Sequence, residues 1–361
     1  MRNEEEDKNS RSSPLQSRTE FDFLERIRQR AERHSSLSSH RSSLSLGIGD
    51  DAAVIRQQTW RDTVVTVDLL VEDIDFRLRT TTPWLLGFKA LAVSLSDIAA
   101  MGARPRYALL SIGIPSEIWD SDFVDKLYDG FFALADSYQV ELIGGDVSRT
   151  PERVVIDSIV HGETPRGRAI RRTGARPGDH IFVTGALGGA AAGLRLLERG
   201  ARLSRKRPRA AHQLAVEQLL LRQLRPEPRV LWGATLGKER QPTSMIDLSD
   251  GLSSDLAHLC RESQVGAMIE ASRIPIDPLV INLCGRRALD PLLLALNGGE
   301  DFELLFTVHP RDLSWLPRQI DGVPVTYLGD ITDEAGRIRV SEGSRVWTLE
   351  PAGFTHFGRS G

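Results

Sequence analysis

Trp84, Phe88, Leu91, Leu95 and Ile98 fall on one stripe of a helix, at the three- and four-residue spacing of α-helical geometry. Pro83 suits the first turn and Gly102 with Pro105 stops the run, so the pattern predicts a helix over 83–101. β-Branched and alternating runs predict strands at 52–56, 63–68, 107–114 and 140–143, with a second long helix at 117–138. Turn residues and arginines crowd 166–178 and suggest a domain junction. Beyond it the pattern predicts strand 180–184, helices 187–199 and 211–224, strand 245–248, helix 252–262, and strands 267–270, 303–308 and 323–328. Ahead of the first domain, residues 1–19 are polar without a period, which predicts disorder. Phe21, Phe23, Leu24, Ile27 and Ala31 then mark a short amphipathic helix, followed by a serine-rich linker over 35–45. The expectation is an α+β fold with a tail at 1–45 and two domains, 46–162 and 163–361.

The 361 residues accommodate two domains of about 100–200 residues each. A hydrophobic fraction of 40% and a charged fraction of 26% are ordinary for a soluble globular protein. A net charge of −3 offers no basic stripe for nucleic acid. Cys260 and Cys284 are too few for a disulfide framework or a zinc site, which fits a reducing cytoplasm. The longest apolar run, 84–103, invites a membrane reading. It contains Lys89, Ser94, Ser96 and Asp97, and charge at membrane depth is expensive, so a buried core helix is expected instead. No apolar signal-peptide stretch is visible in the first forty or so residues.

Candidate chemistry lies in short acidic clusters, each at a predicted strand end or in the turn after it, or within the long apolar helix. They are Gly47 to Asp51 (GIGDD), Thr66 to Asp68 (TVD), Leu95 to Asp97 (LSD), Gly144 to Asp146 (GGD), Asp247 to Gly251 (DLSDG) and Gly298 to Asp301 (GGED). Glycine permits tight turns and close approach to a ligand, and aspartate supplies the hard oxygen atoms that Mg²⁺ prefers. Gathered together, such carboxylates repel unless cations hold them, which points to divalent ions and phosphoryl chemistry.

Each cluster also has an ordinary reading. Asp50 and Asp51 fit a hairpin turn, Asp68 a strand end, and Asp146 a glycine turn. Asp250 fits a helix cap, but capping does not account for Asp247. Asp97 is the sharpest single residue, because it lies in a helix that is apolar on nearly every side. The glycine run from Gly185 to Gly193 follows a strand and opens a helix, yet lacks the G-x-G-x-x-G spacing, so close helix–sheet packing is the expectation there. No Walker lysine motif or protein-kinase signature appears. Arg168, Arg171 and Arg172 fit either phosphate contacts or a solvated loop.

The motifs GIGDDAAVI, KALAVSLSDIAAMGARP, LIGGD, GRAIRRTGARPGD, VTGALG, IDLSDGLSSDL and GGEDFELLF resemble those of the thiamine-monophosphate kinases. These belong to the aminoimidazole-ribonucleotide-synthetase-like ATP-binding superfamily, and the resemblance spans roughly 46–357. It implies a two-domain α+β fold whose N-terminal domains, binding ATP and Mg²⁺, pair their sheets across a homodimer, with a C-terminal α/β sandwich completing the cleft. Carried over by motif, Asp51, Thr66, Asp68, Asp97, Asp146, Asp247 and Asp250 would bind several Mg²⁺ ions, with Val67 contributing its backbone. Gly145, Asp146, Arg172, Ser249 and Tyr128 would contact ATP, and Glu300 and Phe354 thiamine monophosphate. The family's V-E-G-x-H-F reads Val71-Glu72-Asp73-Ile74-Asp75-Phe76 here, so Asp75 replaces a histidine at a substrate-contacting position. The implied reaction is direct in-line transfer from ATP to thiamine monophosphate. The alternatives are another ATP-dependent synthetase of the superfamily or a non-catalytic nucleotide-binding regulator.

Overall fold

The computed structural model describes residues 20–35, 43–46, 48, 53–204, 210–239, 242–284 and 290–353. The expected disorder at 1–19 lies outside these residues, as does most of the serine-rich linker. The amphipathic helix forms as α1 (Glu20–Ser35), with Phe23, Ile27 and Ala31 buried. A small antiparallel pair, β1 (Leu44–Leu46) and β2 (Val54–Ile55), leads into the first sheet.

That sheet is built from β3 (Arg61–Val71), β4 (Arg104–Pro115), β5 (Glu141–Thr150) and β6 (Val155–Pro165), in the order β3-β6-β4-β5. Two helices, α2 (Pro83–Ala100) and α4 (Phe123–Tyr138), share its core. The Thr82 hydroxyl accepts the Leu85 N–H at 3.3 Å and Pro83 occupies the first turn, so α2 starts where its sequence says it should. It is long and apolar enough to span a membrane, but 83% of it is buried within the protein, as expected of a core helix. Gly87 and Gly130 set how closely α2 and α4 cross. A Cβ on Gly87 would sit 1.8 Å from the Leu127 carbonyl oxygen, and one on Gly130 1.7 Å from that of Trp84.

Three expectations change here. The helix expected over 117–138 is divided into α3 (Ser116–Trp119) and α4, because Ser121 binds the intervening backbone. Its hydroxyl donates to the Ile118 carbonyl at 2.6 Å and accepts the Phe123 N–H at 3.2 Å. The strand expected at 140–143 continues through Gly144-Gly145-Asp146 to Thr150, so this motif lies on a strand rather than in a turn. Likewise Thr66-Val67-Asp68 lies inside β3 and does not end it.

The second sheet comprises β7 (His180–Thr184), β8 (Ser244–Asp247), β9 (Gly266–Glu270), β10 (Leu304–Val308), β11 (Gln319–Ile320), β12 (Val323–Thr332), β13 (Ile338–Glu342) and β14 (Arg345–Thr348). Its order is β14-β13-β9-β12-β7-β10-β8, with β11 alongside β12. The helices of this half are α5 (Gly189–Glu198), α6 (Ala211–Leu224), α7 (Val230–Lys238), α8 (Leu252–Ser263), α9 (Pro278–Cys284) and α10 (Pro291–Asn297). Strand alternation divides the apolar residues of this sheet between two clusters. Ile181, Val183 and Leu305 pack with α8 and α10. Phe182 and Phe306 stack at 5.8 Å and pack with Trp232 and Leu236 of α7 and with Ala99 and Ala100 of α2. One helix, α2, is therefore packed into both halves of the molecule.

Candidate active site

The last turns of α2 carry Ser94, Ser96 and Asp97, and these three side chains reach strands on two sides. Ser94 donates to Asp68 Oδ2 on β3 at 2.8 Å, and the Thr66 hydroxyl donates to Asp97 Oδ2 at 2.5 Å. Ser96 donates to Asp247 Oδ2, at the end of β8, at 2.7 Å. The TVD, LSD and DLSDG motifs, separated by up to 180 or so residues, thus meet in one junction. Pairing TVD and DLSDG through two serines in an apolar helix was the signal available in the sequence.

Hydroxyl donors satisfy some oxygen atoms without cancelling charge. Burial, then the charge of Asp97, raises the Asp68 carboxyl to about 6. Burial also raises Asp97, against the Thr66 hydrogen bond and the Arg172 charge. Asp247 is raised well above the carboxylate range, first by burial and next by Asp97. Arg172, on the exposed segment after the first sheet, lowers Asp97, Asp247 and Asp255 together and so stands at the rim of the junction.

The DLSDG turn differs from the simple cap expected. Asp250 does not cap α8; the cap position is Gly251, at φ 113°, without a side-chain cap. Asp255 reaches back from the first turn of α8, its Oδ2 accepting the Asp250 and Gly251 N–H groups at 3.1 and 3.0 Å. Burial and the neighbouring Asp250 push Asp255 up to about 7. Asp255 escaped notice in the sequence because an acid in a first helical turn is commonplace.

The GGED segment docks onto this turn through Glu300 N–H to Ser249 O, at 2.8 Å, and Phe302 N–H to Leu248 O, at 2.9 Å. Glu300 is held by the buried Lys89 of α2, at 2.6 Å, and by Gln223 of α6. Asp301 accepts the Gly188 and Ala190 N–H groups at the start of α5, at 2.6 and 3.1 Å. The glycine-rich stretch thus receives one of the protein's own carboxylates, and its close packing is against helices rather than the sheet: a Cβ on Gly193 would lie 2.1 Å from the Leu219 carbonyl oxygen of α6.

Other candidates stand apart. Gly145 and Asp146 are exposed on β5, outside the hydrogen-bonded junction. Val67 turns its side chain to the opposite face of β3, with 62% exposure, so only its main chain is available to an ion. Asp75 Oδ2 accepts the Val71 N–H at 2.8 Å and closes a turn in which Asp73 has φ 70°. Tyr128, expected at the nucleotide, is buried, with its ring 5.6 Å from that of Phe23 on α1 and packed with Phe131 and Phe132. Asp51 and Phe354 lie outside the described residues.

Among the described residues, no three carboxylates or imidazoles already surround one point. The donor set nonetheless fits a hard divalent cation: carboxylate and hydroxyl oxygens, raised proton affinities, and mutual repulsion between Asp68, Asp97 and Asp247.

Comparison with known proteins identifies the family. The AIR synthase related protein N-terminal domain matches residues 49–164, and the corresponding C-terminal domain matches 176–341. The thiamine-monophosphate kinase of Escherichia coli (strain K12) is 39% identical over 327 residues, covering 88% of this chain and 94% of that one. That of Bacillus subtilis (strain 168) is 35% identical over 341 residues, covering 94% and 99%. Among solved structures, thiamine-monophosphate kinase from Stenotrophomonas maltophilia K279a matches with a TM-score of 0.76 and 38% identity, over 87% of this chain and 95% of that one. AaThiL complexed with AMPPCP and TMP matches with a TM-score of 0.68 and 30% identity, over 94% and 99%. With two matched domains and relatives aligned over nearly their whole length, the chain belongs to the thiamine-monophosphate kinase family of AIR synthase related proteins.

Proposed function

We propose that this protein transfers the γ-phosphoryl group of ATP, directly and in line, to thiamine monophosphate, forming thiamine diphosphate and ADP. The observation that carries the reading is the α2 junction, where Ser94, Ser96 and Asp97 draw Asp68 and Asp247 together from the two halves of the chain. Its support from relatives is the shared name over nearly full length and the relative solved with AMPPCP and TMP.

Asp68, Asp97 and Asp247 are assigned to hold Mg²⁺, together with Asp51, Thr66, Asp146, Asp250 and the main chain of Val67. Bound Mg²⁺ would supply positive charge to offset that of the phosphates during transfer. Thr66, Ser94 and Ser96 fix the carboxylate rotamers beforehand, so the site is organised before substrate arrives. Arg172, Ser249, Gly145, Asp146 and Tyr128 are assigned to ATP. Glu300 and Phe354 are assigned to thiamine monophosphate, and the Lys89 charge keeps Glu300 from repelling its phosphate. Asp75 is assigned to the substrate site as well, on a turn after β3 that its bond to the Val71 N–H closes. The acceptor phosphate is already ionised near neutral pH, so no strong general base is assigned.

Along β3, Val65, Val67 and Leu69 are 56%, 62% and 57% exposed on the face turned away from α2. An apolar row of this kind supports a homodimer formed by pairing two such sheets. The two domains are assigned as 46–162 and 163–361, and the setting as the cytoplasm, where ATP and Mg²⁺ are at hand.

The test is a product assay with ATP, Mg²⁺ and either thiamine monophosphate or free thiamine. Thiamine diphosphate is expected from the monophosphate alone. ATP binding without thiamine diphosphate formation would leave the regulator reading in its place.

A further inference from the structure

A second concentration of charge, of opposite sign, lies where the end of the first sheet meets α7. Arg61, Arg104 and Glu163 come from β3, β4 and β6, and Lys238 is the last residue of α7; they line a cavity of about 230 Å³. Its floor is a backbone contact between Gly102 and Gly237. A Cβ on Gly237 would lie 1.9 Å from the Gly102 carbonyl oxygen, so any side chain there would prise α7 from α2.

The charges do not balance. Glu163 is the one carboxylate lining the cavity, and it is already shared. Arg106 Nε lies 3.1 Å from Glu163 Oε2, and Arg61 Nε lies 3.7 Å from the same atom. Arg61 Nε is shielded from solvent and has no hydrogen-bond acceptor. The neighbouring Asp62 is turned away, accepting the Gly167 N–H at 2.6 Å. Among the described residues, no carboxylate pairs with Arg104 or Lys238. Burial, together with the charges of Arg61 and Arg104, lowers the Arg106 guanidinium despite the help of Glu163. Arg104 and Lys238 stand at the exposed mouth of the cavity, where solvent softens their repulsion and leaves their N–H donors open to an anion.

We propose that this cavity is a second, metal-independent anion site, which takes a small phosphate-class oxyanion between Arg61, Arg104 and Lys238 at the junction of the two halves. Guanidinium groups present paired N–H donors that match phosphate oxygens, and lysine adds a point charge. The volume is below the roughly 300–1,000 Å³ typical of drug-sized ligands, which favours phosphate or pyrophosphate over a nucleotide. Its chemistry is the converse of the α2 junction, where acids would bind phosphate only through cations.

Inorganic phosphate and pyrophosphate are titrated separately into the full-length protein by calorimetry, with EDTA present so that no divalent ion takes part. Saturable binding at one site per chain is expected for one or both. The double variant Arg104→Gln, Lys238→Gln, in which both altered side chains are exposed, should weaken it by about tenfold or more, as the loss of charge-assisted contacts does. Arg172→Gln should leave this binding unchanged, and kinase turnover of the double variant should stay at the parental level. No saturable binding in EDTA overturns the proposal. So does binding that survives the double variant or disappears with Arg172→Gln, which would place the anion elsewhere. None of these outcomes depends on phosphoryl transfer, so the proposal stands or falls separately from the kinase reading.

Discussion

Two neighbouring groups of carboxylates, joined where Glu300 N–H meets Ser249 O, are satisfied in different ways. At the α2 junction, Asp68, Asp97 and Asp247 receive hydroxyl hydrogen bonds and one another's repulsion. In the GGED region each acid has a specific internal partner. Glu300 has Lys89 and Gln223, Asp301 has the α5 amides, and Glu303 has Arg229 at 2.5 Å and Thr184 at 2.6 Å. The first group is arranged to receive cations. The second is already partnered within the protein: Asp301 and Glu303 hold the surrounding elements together, and Glu300 is presented to the substrate with its charge balanced by Lys89.

The largest effect should come from Asp97→Asn. It removes the central acid of the incomplete group and should lower Mg²⁺-dependent thiamine diphosphate formation by roughly 10²–10³-fold or more, the scale of losing one preorganised electrostatic contact. Stability should be retained, because a source of repulsion is gone. Near-parental turnover would take Asp97 out of the ion set.

Arg229→Met makes the opposite cut, in the completed group. It strands Glu303, whose side chain is 1% exposed, and should cost about 3–5 kcal/mol in urea denaturation. A loss comparable to that of Asp97→Asn would erase the distinction drawn between the two groups.

Burial raises carboxyls in both groups, Asp301 to about 7 as well as Asp68, so what separates them is the response to Mg²⁺. Asp68 keeps its proton up to about 6 in the folded, ion-free protein, against 3.8 as its ordinary value. The folded state therefore binds more protons between those values, and ion-free stability should fall as pH rises through the window. Thermal denaturation in EDTA at about pH 4.5 and about pH 7 measures the fall, and Mg²⁺ should offset it above about 6. A flat profile, unchanged by Mg²⁺, would deny the junction its excess charge.

The smallest effect expected is that of Asp255→Ala, which removes the acceptor for the Asp250 and Gly251 N–H groups. It should cost about 1 kcal/mol in denaturation, the usual value of a helix-start acceptor. A much larger loss of turnover than of stability would move Asp255 from the turn into the ion site.

The helix α2 was legible almost residue by residue, since 83–101 was expected and Pro83–Ala100 is found. β6 was not, and the reason is steric. Its buried face runs Ile156, Ser158, Val160, Gly162, Thr164, so small or polar residues alternate with apolar ones, and at Gly162 α2 lies so close that a Cβ would meet Ile98 Cγ2 at 2.7 Å. Close packing thereby removed the period-two hydrophobic signal on which a strand reading depends. The site was legible as a set of acids but not as a geometry. Nothing local to Lys89 or Gln223 tells that they converge on Glu300, more than seventy residues beyond Gln223. Asp75 stood out for its charge, whereas its bond to Val71 follows from a left-handed Asp73 that the sequence does not announce.

Sharing α2 between the two sheets has a mechanical consequence. Ser94 and Ser96, two residues apart on one rigid rod, grip acids belonging to opposite halves. A hinge placed between the halves would have to break one grip or bend a helix locked at Gly87 against α4 and at Ala99 against Gly233. Any opening for substrates must then come from the segments around the junction, with α2 as a fixed anvil between the two halves.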